Sequence, residues 1–101
     1  MDLGTAIREI RKGKGLSQKE LAAKCGLSVN TMCQIEINNT FPQKATIKLI
    51  CEVLEIPISY LLFFSISDED LPEESQSIFK ALSSPIRDSL MRDIKKSVSD
   101  A

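Results

Sequence analysis

The chain has 101 residues, 43% of them apolar and 27% charged, which suits one small globular domain and excludes wholesale disorder. Histidine is absent, so histidine-ligated metal sites and serine– or cysteine–histidine catalysis are ruled out. The formal net charge of −1 conceals an asymmetry: residues 1–64 carry eight basic and six acidic side chains, residues 65–101 five and eight.

Helical spacing recurs from end to end, and no segment alternates apolar and polar residues with β-branched enrichment. The expectation is an all-α fold, with a five-helix head over 1–64 and an acidic linker plus a two-helix tail over 65–101. Leu3, Ile7, Ile10 and Arg11 share one face of a first helix, which Gly13 and Gly15 end. Ser17 and Glu20 have the spacing of a capping box at the start of a short second helix, with Leu21, Ala22 and Cys25 facing inward. Gly26 stops that helix, and Ser28 caps a third of about residues 28–38, with Met32, Ile35 and Glu36 inward. Pro42 marks a loop. A fourth helix aligns Ile47, Ile50, Cys51 and Leu54, and Pro57 opens a fifth that ends in Phe63 and Phe64.

The polar stretch SISDEDLPEE over 65–74 then leads into a sixth helix, where Pro72 suits the first turn and Glu73 and Glu74 suit the N-terminal dipole. Ser84-Pro85 reads as the start of a seventh helix, with a stripe of Ile86, Leu90, Met91, Ile94 and Val98. That stripe is too broad to leave in water. Together with Phe63 and Phe64, it makes Ile86, Leu90 and Ile94 the expected subunit interface of a homodimer. The opposing reading is a tail that folds back on its own head.

The informative stretch is QKELAAKCGLSVNTMCQIE over 18–36. Two short helices meeting at a sharp angle need a small residue at their closest approach, here Ala22, and a glycine free to take positive φ, here Gly26. Leu21, Cys25, Leu27, Met32 and Ile35 occupy the positions that lock such a pair together. Ile10-Arg11, Gly15-Leu16-Ser17-Gln18-Lys19-Glu20-Leu21-Ala22, Gly26-Leu27-Ser28, Ile35-Glu36 and Pro42 together resemble the lambda-repressor-like (Xre/Cro) helix-turn-helix family. The resemblance spans about residues 3–64 and touches four of the five head helices. It implies a transcriptional regulator that binds double-stranded operator DNA as a dimer, with the third helix in the major groove. One departure is visible: the family usually has glycine where this chain has Asn38. Asparagine tolerates the left-handed conformation well, so the turn is expected to survive.

The outward face of the third helix carries two amides and no charge. Asn30 and Gln34 can bond adenine bidentately, Val29 can pack on a thymine methyl, and Cys33 lies beside them, so these four are the expected base readers. Ser28, Thr31, Asn39, Thr40 and Lys44 stand where the DNA backbone would pass, and Lys12, Lys14 and Lys19 could add screened attraction. Gln18 lies at a helix start whose N–H groups can hold a phosphate. Its family counterpart contacts phosphate and braces the recognition helix. Arg11 and Glu36 both fall on inward faces, and an arginine fork meeting a carboxylate is the tolerable way to bury them. They are expected to pair and to position the reader without touching bases.

Cys25, Cys33 and Cys51 are an odd number in no metal-like spacing, which points to reduced thiols and no metal or cofactor. Nothing basic adjoins Cys33 to favour its thiolate, so it reads as inert. Gly13-Lys14-Gly15 lacks the spacing of a phosphate-binding loop, and no enzymatic constellation stands out. The apolar run Tyr60 to Phe64 is too short to span a bilayer and no secretory signal is visible, so the expectation is a cytoplasmic protein without a membrane partner. A second functional reading is an antitoxin or interaction module whose C-terminal tail binds a partner protein.

Overall fold

The computed structural model describes residues 2–99, with side chains described as far as Lys96. Six α-helices follow in order: α1 (Leu3–Gly13), α2 (Gln18–Lys24), α3 (Val29–Glu36), α4 (Lys44–Leu54), α5 (Ile58–Ser65) and α6 (Glu73–Ser99). One turn of 3-10 helix, Asp68–Asp70, lies between α5 and α6. The described residues contain no strand, and the all-α expectation holds.

Local chemistry sets the boundaries of the head. The Ser17 hydroxyl accepts the Glu20 N–H while Glu20 accepts the Ser17 N–H, so the capping box forms at α2. The Ser17 backbone N–H first, and then its hydroxyl, hold the Glu20 carboxyl below the usual glutamate range. The Glu20 half of the box is therefore present at neutral pH and weakens as pH falls through the lowered value, while the Ser17 hydroxyl half does not titrate. Ser28 caps α3 by accepting the Thr31 N–H at 3.0 Å. Gly26 turns the chain at φ 68°, and Asn38 takes the left-handed conformation at φ 62° that its position demands.

The core is one cluster built around α1. Ile7 and Ile10 of α1 are fully buried with Leu21, Met32, Ile50, Leu54 and Leu61, one or more from each of α2 to α5. Burying such side chains stabilises by about 1.5–3 kcal/mol each, which is how helices too short to persist alone are held.

The tail departs from expectation in two ways. It is one helix, and Pro85 lies inside it. Proline removes only the bond to the Ala81 carbonyl, and Ala81 and Pro85 are both exposed, so water can take that acceptor. Beyond the proline, the segment is held in line by contacts with the head. Arg87 bonds Glu9 at 3.1 Å and lies over the Phe64 ring at 4.8 Å, Tyr60 donates to Asp93, and Met91 passes over Gly13.

The second departure concerns the subunit interface. Phe64 and Ile94 are buried within this chain's own core, and Leu90 and Met91 pack against it. Phe63 is half-buried and stacks on Phe64 and Phe79. Of the five residues expected at a dimer surface only Ile86 remains open, because α6 satisfies the others intramolecularly. The Val98 side chain lies outside those described.

Candidate nucleic-acid interface

Helix α3 is gripped from one side only. Met32 and Ile35 are buried, and Glu36 is the pivot of the grip. Arg11 donates from Nε to Glu36 Oε2 at 2.8 Å and from a terminal nitrogen to Oε1 at 3.0 Å, the two-bond fork expected from their inward positions. Its other terminal nitrogen donates to the Leu16 carbonyl at 2.9 Å. Gln18 Nε2 adds a third bond to Glu36, at 3.2 Å. One carboxylate at the end of α3 thus gathers α1, the α1–α2 turn and α2.

Two residues further on, Asn38 ties the same end of α3 to the start of α1. Its Oδ1 accepts the Gly4 N–H at 2.8 Å, and its Nδ2 donates to Asp2 at 2.7 Å and Thr5 at 3.3 Å. Asparagine in place of the usual glycine therefore keeps the left-handed turn and also caps the first turn of α1. The sequence signal for the turn was legible, but the cap depends on a contact between residues 34 positions apart.

The remaining face of α3 is open. Val29, Asn30 and Thr31 are exposed, Cys33 and Gln34 are half-buried, and Ile37, just past the helix, is exposed. Gln34 Oε1 accepts from Asn39 Nδ2, and the Gln34 carbonyl accepts the N–H groups of Asn39 and Thr40. Asn39, expected at a phosphate, is here the residue that orients Gln34. Ser28 and Thr31 share a hydroxyl bond at 2.8 Å at the start of the helix. Lys44 is exposed as the first residue of α4, where no described side chain caps the first turn.

Arg8 was not anticipated. It lines an open cleft with Arg11, Ser17, Gln18, Glu36 and Ile37, which places a cation beside the helix-turn-helix. The signal was its spacing of three from Arg11, which puts the two on neighbouring parts of α1.

Burial pushes the thiols of Cys25 and Cys51 up, which keeps them protonated in the ordinary pH range. Cys33 is the only one of the three not buried. An alkylating reagent added to the native protein is expected to label Cys33 ahead of Cys25 and Cys51, as read by peptide mass spectrometry. Equal labelling of all three would contradict this burial.

Two short helices meeting at a glycine corner, the second clamped on one side and bare on the other, define a DNA-binding helix-turn-helix protein. The helix-turn-helix family model matches residues 7–61, and the chain belongs to this lambda-repressor-like family of DNA-binding transcriptional regulators. Over 72 residues it is 33% identical to the uncharacterized HTH-type transcriptional regulator RghRB of Bacillus subtilis (strain 168), covering 70% of this chain and 52% of that protein. Over 96 residues it is 28% identical to the immunity repressor protein of Bacillus phage phi105, covering 95% of this chain and 64% of the phage protein. The chain thus spans roughly half to two thirds of the length of these relatives. No helix of the described residues is long and apolar enough to cross a membrane.

Proposed function

We propose that this protein is a dimeric repressor that sets α3 into the major groove of an operator. The observation that carries the reading is the one-sided burial of α3. Its inner face is fixed to α1 and α2 through Glu36, while its outer face offers uncharged donors and acceptors. Asn30 and Gln34 read adenine edges, Val29 meets a thymine methyl, and Cys33 lies against the same groove wall. Gln34 is pre-oriented by Asn39, which reduces the ordering entropy lost on contact. Gln18, Ser28, Thr31, Thr40 and Lys44 hold the phosphate backbone, with Asn39 at the edge of that row. An acidic protein gains little from long-range attraction, so specificity rests on these short contacts. The repressor role is supported by the likeness to the phage immunity repressor.

The test starts from an operator selected out of a random duplex library at a stated salt concentration. Gln34→Ala is then expected to lose about 1–3 kcal/mol on that operator and to relax preference at one base step. If the variant weakened operator and scrambled duplex equally, Gln34 would not be a base reader. The reading as an antitoxin with a partner-binding tail has less support. Such a tail would gain its order from the partner, whereas α6 anchors Ile94 in the core of the head.

A further inference from the structure

We infer that the outward face of α6 is the interface with a second copy of this chain, formed by antiparallel pairing of α6 on α6 with the two-fold axis at Leu82. The inference rests on the dimeric reading above and gives it a surface. The inner side of α6 is used up, since Phe79, Ser83, Arg87, Leu90 and Ile94 face the head. Outside stand Ile78, Leu82 and Ile86, exposed by 63%, 56% and 43%. Residues four apart on a helix stack into one ridge, so these three form a continuous apolar row. Single exposed apolar residues are ordinary, but a contiguous row marks a contact surface.

Three properties of the row select a second copy as its occupant. It reads the same in both directions, isoleucine–leucine–isoleucine at equal spacing. An isologous interface requires such self-complementarity, and here it sets Leu82 on Leu82 and Ile78 on Ile86 of the partner. The helix is also polarised, with exposed Glu73 and Glu74 in its first turn and exposed Arg92 and Lys96 towards the other end. Antiparallel copies bring each acidic end to the partner's basic end, whereas parallel copies would set like on like. Finally, the register about Leu82 opposes Lys80 to Ser84 and Asp88 to Gln76, so no like charges meet in the middle.

The row is short for a permanent interface, so the dimer is expected to dissociate on dilution. Sedimentation of the full chain without DNA tests this independently of base reading. The wild type is expected to be dimeric by about 100 μM, where even a micromolar interface is filled. Leu82→Arg is expected to raise the dimer dissociation constant at least about tenfold. Its melting temperature, read at a dilution where the wild type is also monomeric, should be unchanged, because Leu82 lies outside the core. The reversals E73K/E74K and R92E/K96E should each weaken self-association. An equimolar mixture of the two should restore it, since both ends of the mixed pair are then complementary. The proposal is overturned by a wild type that stays monomeric, by a Leu82 variant that still dimerises normally, or by a mixture that does not re-associate. Loss of sequence preference in Gln34→Ala is a separate readout, so failure of the interface and failure of the base-reading face are distinguishable.

Discussion

Arg11→Ala is expected to cost about 3–5 kcal/mol of folding stability, the range for removing one partner of a buried ion pair. The Glu36 side chain is 2% exposed and would be left with only the Gln18 amide facing it. The Leu16 carbonyl would lose its guanidinium donor as well. A domain of this size holds about 5–15 kcal/mol in all, so the variant should melt about 15–30 °C lower, as followed by circular dichroism. The double variant Arg11→Met with Glu36→Met separates stability from function. Apolar side chains of similar volume often replace a buried pair at little cost, so much of the melting temperature should return. Operator affinity should not, because Gln18 no longer has the Glu36 oxygen that fixes it beside α3. An Arg11→Ala protein within about 0.5 kcal/mol of wild type in urea unfolding, the range of an unremarkable surface change, would show that the fork contributes nothing.

What could be read from the sequence follows the reach of each interaction. The cap at Ser17 and Glu20, the corner at Gly26 and the left-handed Asn38 are decided within four residues, and the structure has all three. The pairing of Arg11 with Glu36 spans 25 positions, yet it was legible because two charges on inward faces have few tolerable arrangements. The tail differs from its local reading for the opposite reason. Pro85 looks like a boundary locally, and contacts with the head far away in sequence, among them Met91 and Ile94 on α1, keep the helix running through it. A stripe at helical spacing likewise says that Leu90 and Ile94 need cover but not whose cover they receive. Ile78, Phe79 and Leu82 share the apolar side of the first half of α6, yet Ile78 and Leu82 remain open. Phe79 alone of those three turns towards the head, where it meets Phe63.

Gly4→Ala is the second substitution expected to act strongly, although it adds a single methyl group. Gly4 is buried in the first turn of α1, against the last turn of α3. A Cβ there would overlap the Ile35 carbonyl oxygen and stand 2.8 Å from that of Glu36 and 2.7 Å from Asn38 Oδ1. Two of these three atoms are backbone, so no rotamer change can make room and the start of α1 must move. Its movement is opposed by the bond from the Asp2 N–H to the Ser65 carbonyl at 2.7 Å and by the Asn38 cap on Gly4. The expected loss is about 3 kcal/mol, the upper end for overpacking because both sides of the contact are rigid. Alanine is otherwise the better helix former, so a loss of this size can only come from the close approach. Asn38→Gly serves as the companion variant. It keeps the left-handed turn without strain but deletes the side-chain bonds to Gly4, Asp2 and Thr5, so it isolates the cap from the clash. If both ends of α1 seat the last turn of α3, Gly4→Ala should reduce operator binding more than binding to scrambled duplex. A variant that melts like the wild type and keeps its full preference would show that α1 and α3 can separate at this end without consequence.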